Sequence, residues 1–137
     1  MRDDTNLRVL VCGSRTFSDQ HVIGAVLDGV GAFHDWKITV IHGAAKGADY
    51  LANGWAASND VPVLPFAAQW NLYGKRAGFL RNTQMLEEGQ PDVVWAFVDK
   101  PLAESKGTKM MVDIARKAGV QCYVVERINL STPDVER

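Results

Sequence analysis

No apolar run in this chain is long enough to span a bilayer, so no membrane segment is expected. Cysteine is scarce: Cys12 and Cys122 are the two. Both lie in apolar, strand-like runs, without C-x-x-C spacing and without neighbouring histidines. That leaves no disulfide framework and no zinc ligand set, and the pair reads as buried free thiols in a reducing cytoplasm. There is no basic run, and the formal net charge is -1, so neither duplex nucleic acid nor a membrane surface is an expected partner. The opening "MRDDTNLRVLVCG" has too short an apolar stretch for a signal peptide. Several catalytic templates are missing too. "GAAKGAD" (43–49) lacks P-loop spacing, "GSRTF" (13–17) is not G-x-G-x-x-G, and there is no nucleophile elbow. No resident cofactor and no metal are expected.

What is present is an ordinary globular composition, 47% hydrophobic and 23% charged over 137 residues, which fits one domain. Short apolar runs at 7–13, 37–43, 61–68, 91–98 and 120–127 read as strands, with Pro62 and Pro65 pushing the third towards a sheet edge. Helical spacing appears at 19–33, 47–58, from about 77, and at 107–119. The strands are mostly continuous rather than alternating, the mark of burial on both faces. Strand and helix alternate, so an α/β fold with a central, mainly parallel sheet of about five strands is expected. Its core should span about 7–127, with a loose polar tail at 129–137. Trp36, Trp55 and Trp95 lie in or beside regular elements and are expected in the core. Trp70 and Tyr73 fall in a loop, where they either cover the core edge or stack on a base.

Ligands of an open parallel sheet bind beyond the carboxyl ends of its strands. The segments there are "GSRTFSD" (13–19), "GAAKGAD" (43–49), "AQWNLYGKRAGFLRN" (68–82) and "VDKPLAESKGTK" (98–109). They gather Arg15, Lys46, Lys75, Arg76, Arg81, Lys106 and Lys109 in a chain that is neutral overall, which points to a small anionic ligand. Glycine at a strand-to-helix turn allows close backbone approach, and the following helix offers unpaired N–H groups and a positive dipole end. Phosphate suits such a place. The candidate ligand-binding residues are Gly13, Ser14, Arg15, Thr16, Gly43, Lys46, Gly47, Asp49, Trp70, Tyr73, Lys75, Gly78, Arg81, Asn82, Lys106, Gly107 and Thr108. Backbone N–H groups near Ser14, Gly47 and Gly107 would form the cradle, and Gly78 a tight approach into its helix. Asp49 and Thr108 also fit first-turn or capping roles, Asp19 fits a helix cap, and His42 fits a packed histidine. Arg81 has no acidic residue at helical spacing, since Glu87 and Glu88 are neither three nor four residues away.

In order, "GSRTF", "GAAKGAD", "WNLYGKRAGFLRNTQM" and "KGT" resemble the SLOG superfamily, in its YspA-like branch found in bacteria and phages. The resemblance covers roughly residues 7–125. It implies a Rossmann-like three-layer sandwich, nucleotide-derived ligands and homo-oligomers with the site near an interface. The Lonely Guy-type relatives are phosphoribohydrolases with R-K-x-x-M and P-G-G-x-G-T-x-x-E segments. Arg81 and Met85 match the first, with Asn82 in place of lysine. Gly107 and Thr108 match the second, but its glutamate position is Met111. A carboxylate there would stabilise the positive charge that builds on ribose during cleavage. Its absence leaves Asp49, Asp99, Glu104 and Asp113 as alternatives.

The expected function is therefore binding of a nucleotide or nucleotide-derived ligand, as a sensor or sequestering module. Arg81 is expected to hold phosphate or the ribose-phosphate edge, catalytic residues being unassigned. The alternative is a nucleotide hydrolase, acting on an N-glycosidic or phosphate bond with another carboxylate. A third possibility is single-stranded nucleic acid, with Trp70 and Tyr73 stacking on bases.

Overall fold

A computed structural model describes residues 5–128. The expected tail at 129–137 lies outside the described residues. Five strands, β1 (Leu7–Gly13), β2 (Ile38–His42), β3 (Val63–Pro65), β4 (Val93–Val98) and β5 (Gln121–Glu126), form one sheet of order β3-β2-β1-β4-β5. All four pairings are parallel. The helices are α1 (Gln20–Phe33), α2 (Ala48–Ser58), α3 (Trp70–Tyr73), α4 (Ala77–Glu87) and α5 (Lys106–Lys117). The architecture is the expected α/β, Rossmann-like one.

The two-residue period of the strands feeds two cores. On β1, Val9 and Val11 join Ile23 and Leu27 of α1 and Ala52 and Ala56 of α2. Leu10 and Cys12 face the other way, onto Met85 of α4 and Met111, Val112 and Ala115 of α5. On β4, Phe97 enters the first core and Val94 and Ala96 the second. Full burial of one such Leu, Ile or Phe side chain stabilises the fold by about 1.5–3 kcal/mol relative to exposure. The central strands must therefore be apolar on both faces, as their sequences are. β3 is an edge strand of three residues, which accommodates its proline. β5, the opposite edge, is exposed at every other residue at its start, and its Tyr123 ring stacks on Trp95 at 4.6 Å.

Two expectations need correction. Trp36 is not in the core: it is 44% exposed and stacks on Trp55 at 5.9 Å, at the rim of the first core. Trp70 and Tyr73 are not in a loop. They occupy one helical turn, whose Leu72 and Tyr73 N–H groups donate to the Gln69 carbonyl. A 3₁₀ turn, Gly74–Arg76, carries the chain straight into α4.

Chain direction makes the switch point. From β1 the chain steps outward to β2 and β3 with α1 and α2 on one face. It then returns to β4, on the other side of β1, and α4 and α5 cover the opposite face. The connections leaving β1 and β4 diverge, and a crevice opens at their carboxyl ends.

Asp19 is the N-cap of α1: its Oδ1 accepts from the Val22 N–H at 3.2 Å, and its Oδ2 from Arg127 Nε at 2.9 Å. The Arg127 bond, then the Val22 bond, lower its pKa below 3.8. A carboxyl with a lowered folded pKa adds stability above its unfolded value, and that stability is lost as pH falls through the folded one. Asp19→Ala should therefore lower the melting temperature at neutral pH, and the difference from the parent should shrink well below pH 3.8. Thermal denaturation followed by circular dichroism at the two pH values checks it.

Candidate functional site

A cavity of about 650 Å³ occupies the crevice. Its walls come from four connections. The turn after β1 supplies Gly13, Ser14, Arg15 and Thr16; the first turn of α2 supplies Asp49. The α3–α4 segment supplies Trp70, Lys75, Gly78, Arg81 and Asn82, and the start of α5 supplies Lys106, Gly107 and Thr108. The candidate residues thus converge, except Gly43, Lys46, Gly47 and Tyr73, which lie outside the cavity wall. Lys100, Glu104, Ser105 and Phe79 also line it, and were not singled out as candidate ligand contacts.

Glycine at three of these positions answers to packing. A Cβ on Gly43 would occupy the space of the Arg81 guanidinium. On Gly13 it would run into the Phe97 carbonyl and, at 2.7 Å, the Ala48 Cβ. Gly47 has φ of 77° and crosses directly under the Ser14 carbonyl, so the left-handed region and the close approach both require glycine there. Gly78 is different: it sits in the first turn of α4 rather than a tight turn, with only the Trp70 ring edge 3.4 Å from a Cβ. Lys46 is exposed in the turn before α2, and Tyr73 is half exposed.

Arg81 and Asp49 meet at Gly43. Arg81 Nη1 donates to the Gly43 carbonyl at 2.5 Å, and Asp49 Oδ2 accepts from the Gly43 N–H at 2.9 Å and the Ala45 N–H at 3.3 Å. Asp49 is 5% exposed. Burial raises its pKa, opposed by the two N–H groups and by the charge of Arg81. Burial lowers that of Arg81, opposed by Asp49. Arg81 Nε donates to Asn82 Oδ1 at 2.9 Å. Asn82 Nδ2 reaches the Gly107 carbonyl and Met110 Sδ, each at 3.2 Å. Asn82 therefore ties α4 to the first turn of α5 and aims Arg81. Cys12 borders the cavity, but burial, then the Asp49 charge, push its thiol pKa well up. It is a neutral thiol, not an activated nucleophile.

At the start of α5, Lys106 and Gly107 are exposed. Ser105 is its N-cap and is 7% exposed, yet its hydroxyl makes no capping bond and has no hydrogen-bond partner. The Ser105 carbonyl accepts from Lys109 N at 2.8 Å, which closes the first helical turn. Among the described residues, the N–H groups of Lys106, Gly107 and Thr108 have no partner outside the helix. A Cβ on Gly107 would meet nothing within 4 Å. The legible signal for Ser105 was its type: serine is a preferred N-cap, one residue ahead of "KGT".

The turn after β1 is less available than expected. The Ser14 N–H donates to the Phe97 carbonyl at 2.9 Å, and the Ser14 hydroxyl accepts from Asp99 N at 3.2 Å. Ser14 therefore has no backbone donor to offer a ligand, because parallel pairing with β4 has already used it. Thr16 Oγ1 donates to Asp99 Oδ2 at 2.6 Å. The Arg15 guanidinium lies 5.5 Å from the Trp70 ring centre, so a cation covers one face of that indole. His42 is packed: Nε2 bonds Asn53 Oδ1 and Nδ1 accepts from Ala44 N, each at 2.9 Å. Asp113 is held by Lys109 at 2.7 Å on the exposed side of α5. Met111 is 0% exposed and packs with Leu10, Cys12 and Met85. Among the described residues, no group of His, Cys, Asp or Glu has the arrangement of a metal site.

The family model described as "YspA, cpYpsA-related SLOG family" matches residues 7–73. The Gene 61 protein of Mycobacterium phage D29 is 38% identical over 119 residues, covering 82% of this chain and 91% of its own. Among solved structures, DNA processing protein A (DprA) from Streptococcus pneumoniae matches with a TM-score of 0.72 at 16% identity. That match covers 92% of this chain and 52% of DprA, so the chain spans about half of that protein's length. A likeness at that identity carries the fold. The family match ends before α4, so it assigns nothing to Arg81 or Ser105.

Gly43→Ala should cost about 1–3 kcal/mol of unfolding free energy, because its methyl group displaces the Arg81 guanidinium. Gly54→Ala, inside α2 with nothing within 4 Å of its Cβ, should instead add up to about 1 kcal/mol. Urea denaturation of the two variants measures both.

Proposed function

The chain belongs to the YspA, cpYpsA-related SLOG family, and from that premise we propose that its cavity binds a nucleotide or nucleotide-derived ligand, as a sensor or sequestering module. The observation that carries this reading is the Ser105 hydroxyl. It is buried, bonded to nothing, and borders the cavity at a helix N-terminus. An unsatisfied buried hydroxyl costs about 1–3 kcal/mol. A phosphate oxygen would satisfy it, together with the N–H groups of residues 106–108 and the positive end of α5. Lys100 and Lys106 line the same cavity. The sugar then lies towards Arg81, which Asn82 holds next to the first turn of α5.

Retention fits the site better than cleavage. The position that carries glutamate in the Lonely Guy-type pattern is a methionine packed in the core. The second reading, a hydrolase using another carboxylate, is favoured by Asp49, which does line the cavity. Glu104 lines it as an exposed rim residue.

One incubation separates the two. The protein in molar excess is mixed with nucleoside mono-, di- and triphosphates, cyclic and linear dinucleotides, NAD and ADP-ribose, and passed through an ultrafilter. Mass spectrometry then quantifies the filtrate and the denatured retentate. The expected result is one compound depleted from the filtrate and recovered intact. A free base or shortened nucleotide would establish the hydrolase instead. For the retained compound, Ser105→Ala should weaken binding about 10–100-fold, the worth of a hydrogen bond to a charged group. Arg81→Ala should weaken it at least as much, with the melting transition still cooperative. Unchanged affinity in both variants would remove the phosphate from α5 and Arg81 from the site.

A further inference from the structure

Two groups on the cavity floor are only half used. Asp49 Oδ2 takes both loop N–H groups, while Oδ1 takes no hydrogen bond among the described residues. Arg81 spends Nε on Asn82 and Nη1 on Gly43, while Nη2 has no partner among them. Both residues line the cavity, and each feels the other's charge. No ion pair within bonding distance closes between them, because Gly43 holds Arg81 by its carbonyl and Asp49 by its N–H. One glycine thus anchors two side chains, one with a free acceptor and one with a free donor, and leaves a gap between them.

A phosphate oxygen does not fit that gap, since it offers Asp49 no proton and adds charge of the same sign. A hydroxyl does fit, because it donates and accepts at once. We propose that Asp49 and Arg81 together clasp a ring hydroxyl of the ligand's sugar, which donates to Asp49 Oδ1 and accepts from Arg81 Nη2. The inference rests on the reading that a phosphorylated sugar occupies the cavity with its phosphate at α5. The placement is coherent with it. Asn82 bonds both Arg81 and the Gly107 carbonyl, so the sugar clasp and the phosphate position lie one side chain apart. Asp49 brings a carboxylate to the cavity from α2, where Met111 on α5 brings none. The ligand class is a ribose phosphate with its hydroxyls intact, not a deoxyribose one.

Calorimetric titration of the full chain tests this with four base-free probes: ribose 5-phosphate, its 2-deoxy and 3-deoxy forms, and inorganic phosphate. The parent should bind ribose 5-phosphate about tenfold or more tightly than at least one deoxy form. Asp49→Asn keeps an acceptor for the loop and turns the free oxygen into a donor. It should erase that preference, and a cooperative melting transition reports that the variant is folded. If Asp49→Asn does not fold, the parent's preference and its loss in Arg81→Lys decide the matter. Equal binding of all three sugar phosphates by the parent overturns the clasp alone. Asp49→Asn that keeps the full preference overturns it too. Failure of every probe, inorganic phosphate included, to bind the parent defeats the phosphate reading and the clasp with it.

Discussion

The buried carboxylate of Asp49 is the contact on which the site's geometry depends. Taking a carboxylate out of water is costly unless hydrogen bonds and an opposite charge compensate. Here two backbone N–H groups and the field of Arg81 do so. In return, Asp49 fastens the turn after β2. That turn presents the Gly43 carbonyl to Arg81, and Arg81, with Asn82, links α4 to the start of α5. The glycines follow from the same constraint. Gly43 leaves room for the guanidinium, and Gly47 lets the start of α2 pass beneath the β1 turn.

Charge distribution follows from topology rather than composition. The molecule is close to neutral, with 15 basic and 16 acidic side chains. A parallel sheet puts every strand's carboxyl end on one edge, so residues far apart in sequence accumulate there. Arg15, Lys75, Arg81, Lys100 and Lys106 all border one cavity, against Asp49 and Glu104. The field that matters to an anionic ligand is therefore local, and net charge is a poor guide to it.

Much of this was legible in the chain. Continuous apolar runs placed the central strands, because burial on both faces leaves no polar side to alternate. Pro62 and Pro65 placed β3 at the edge, since proline cannot donate to a ladder. Asp19 read as a cap and is one. Other features were closed to sequence reasoning because they depend on what is adjacent in space. Ser14 looked like a free backbone donor until pairing with β4 consumed its N–H. Ser105 carries no sequence signal beyond its residue type, and only the fold shows that its buried hydroxyl makes no capping bond and has no partner. Trp36 looked like core, yet it lies beside the exposed end of α1 and packs on another tryptophan. The meeting of Arg81 with Gly43, 38 residues earlier, has no local signature.

The side from which the carboxylate comes bears on what the site does with a ligand. A carboxylate on α5 in the Lonely Guy-type pattern acts on the charge that develops as the glycosidic bond breaks. Asp49 is tied into the β2–α2 turn by one oxygen, so its other oxygen is held in place before any ligand arrives. Under the proposed clasp, a hydrogen bond from that position to a sugar hydroxyl forms as soon as the ligand binds and serves to recognise the ribose. Only an interaction that strengthens as a bond breaks lowers the barrier to breaking it. A neutral Cys12 thiol and a buried Met111 withhold a thiol nucleophile and the pattern's carboxylate, which is why retention is the proposed reading. Binding energy spent on recognition rather than on a transition state is what a sensor or a sequestering protein requires.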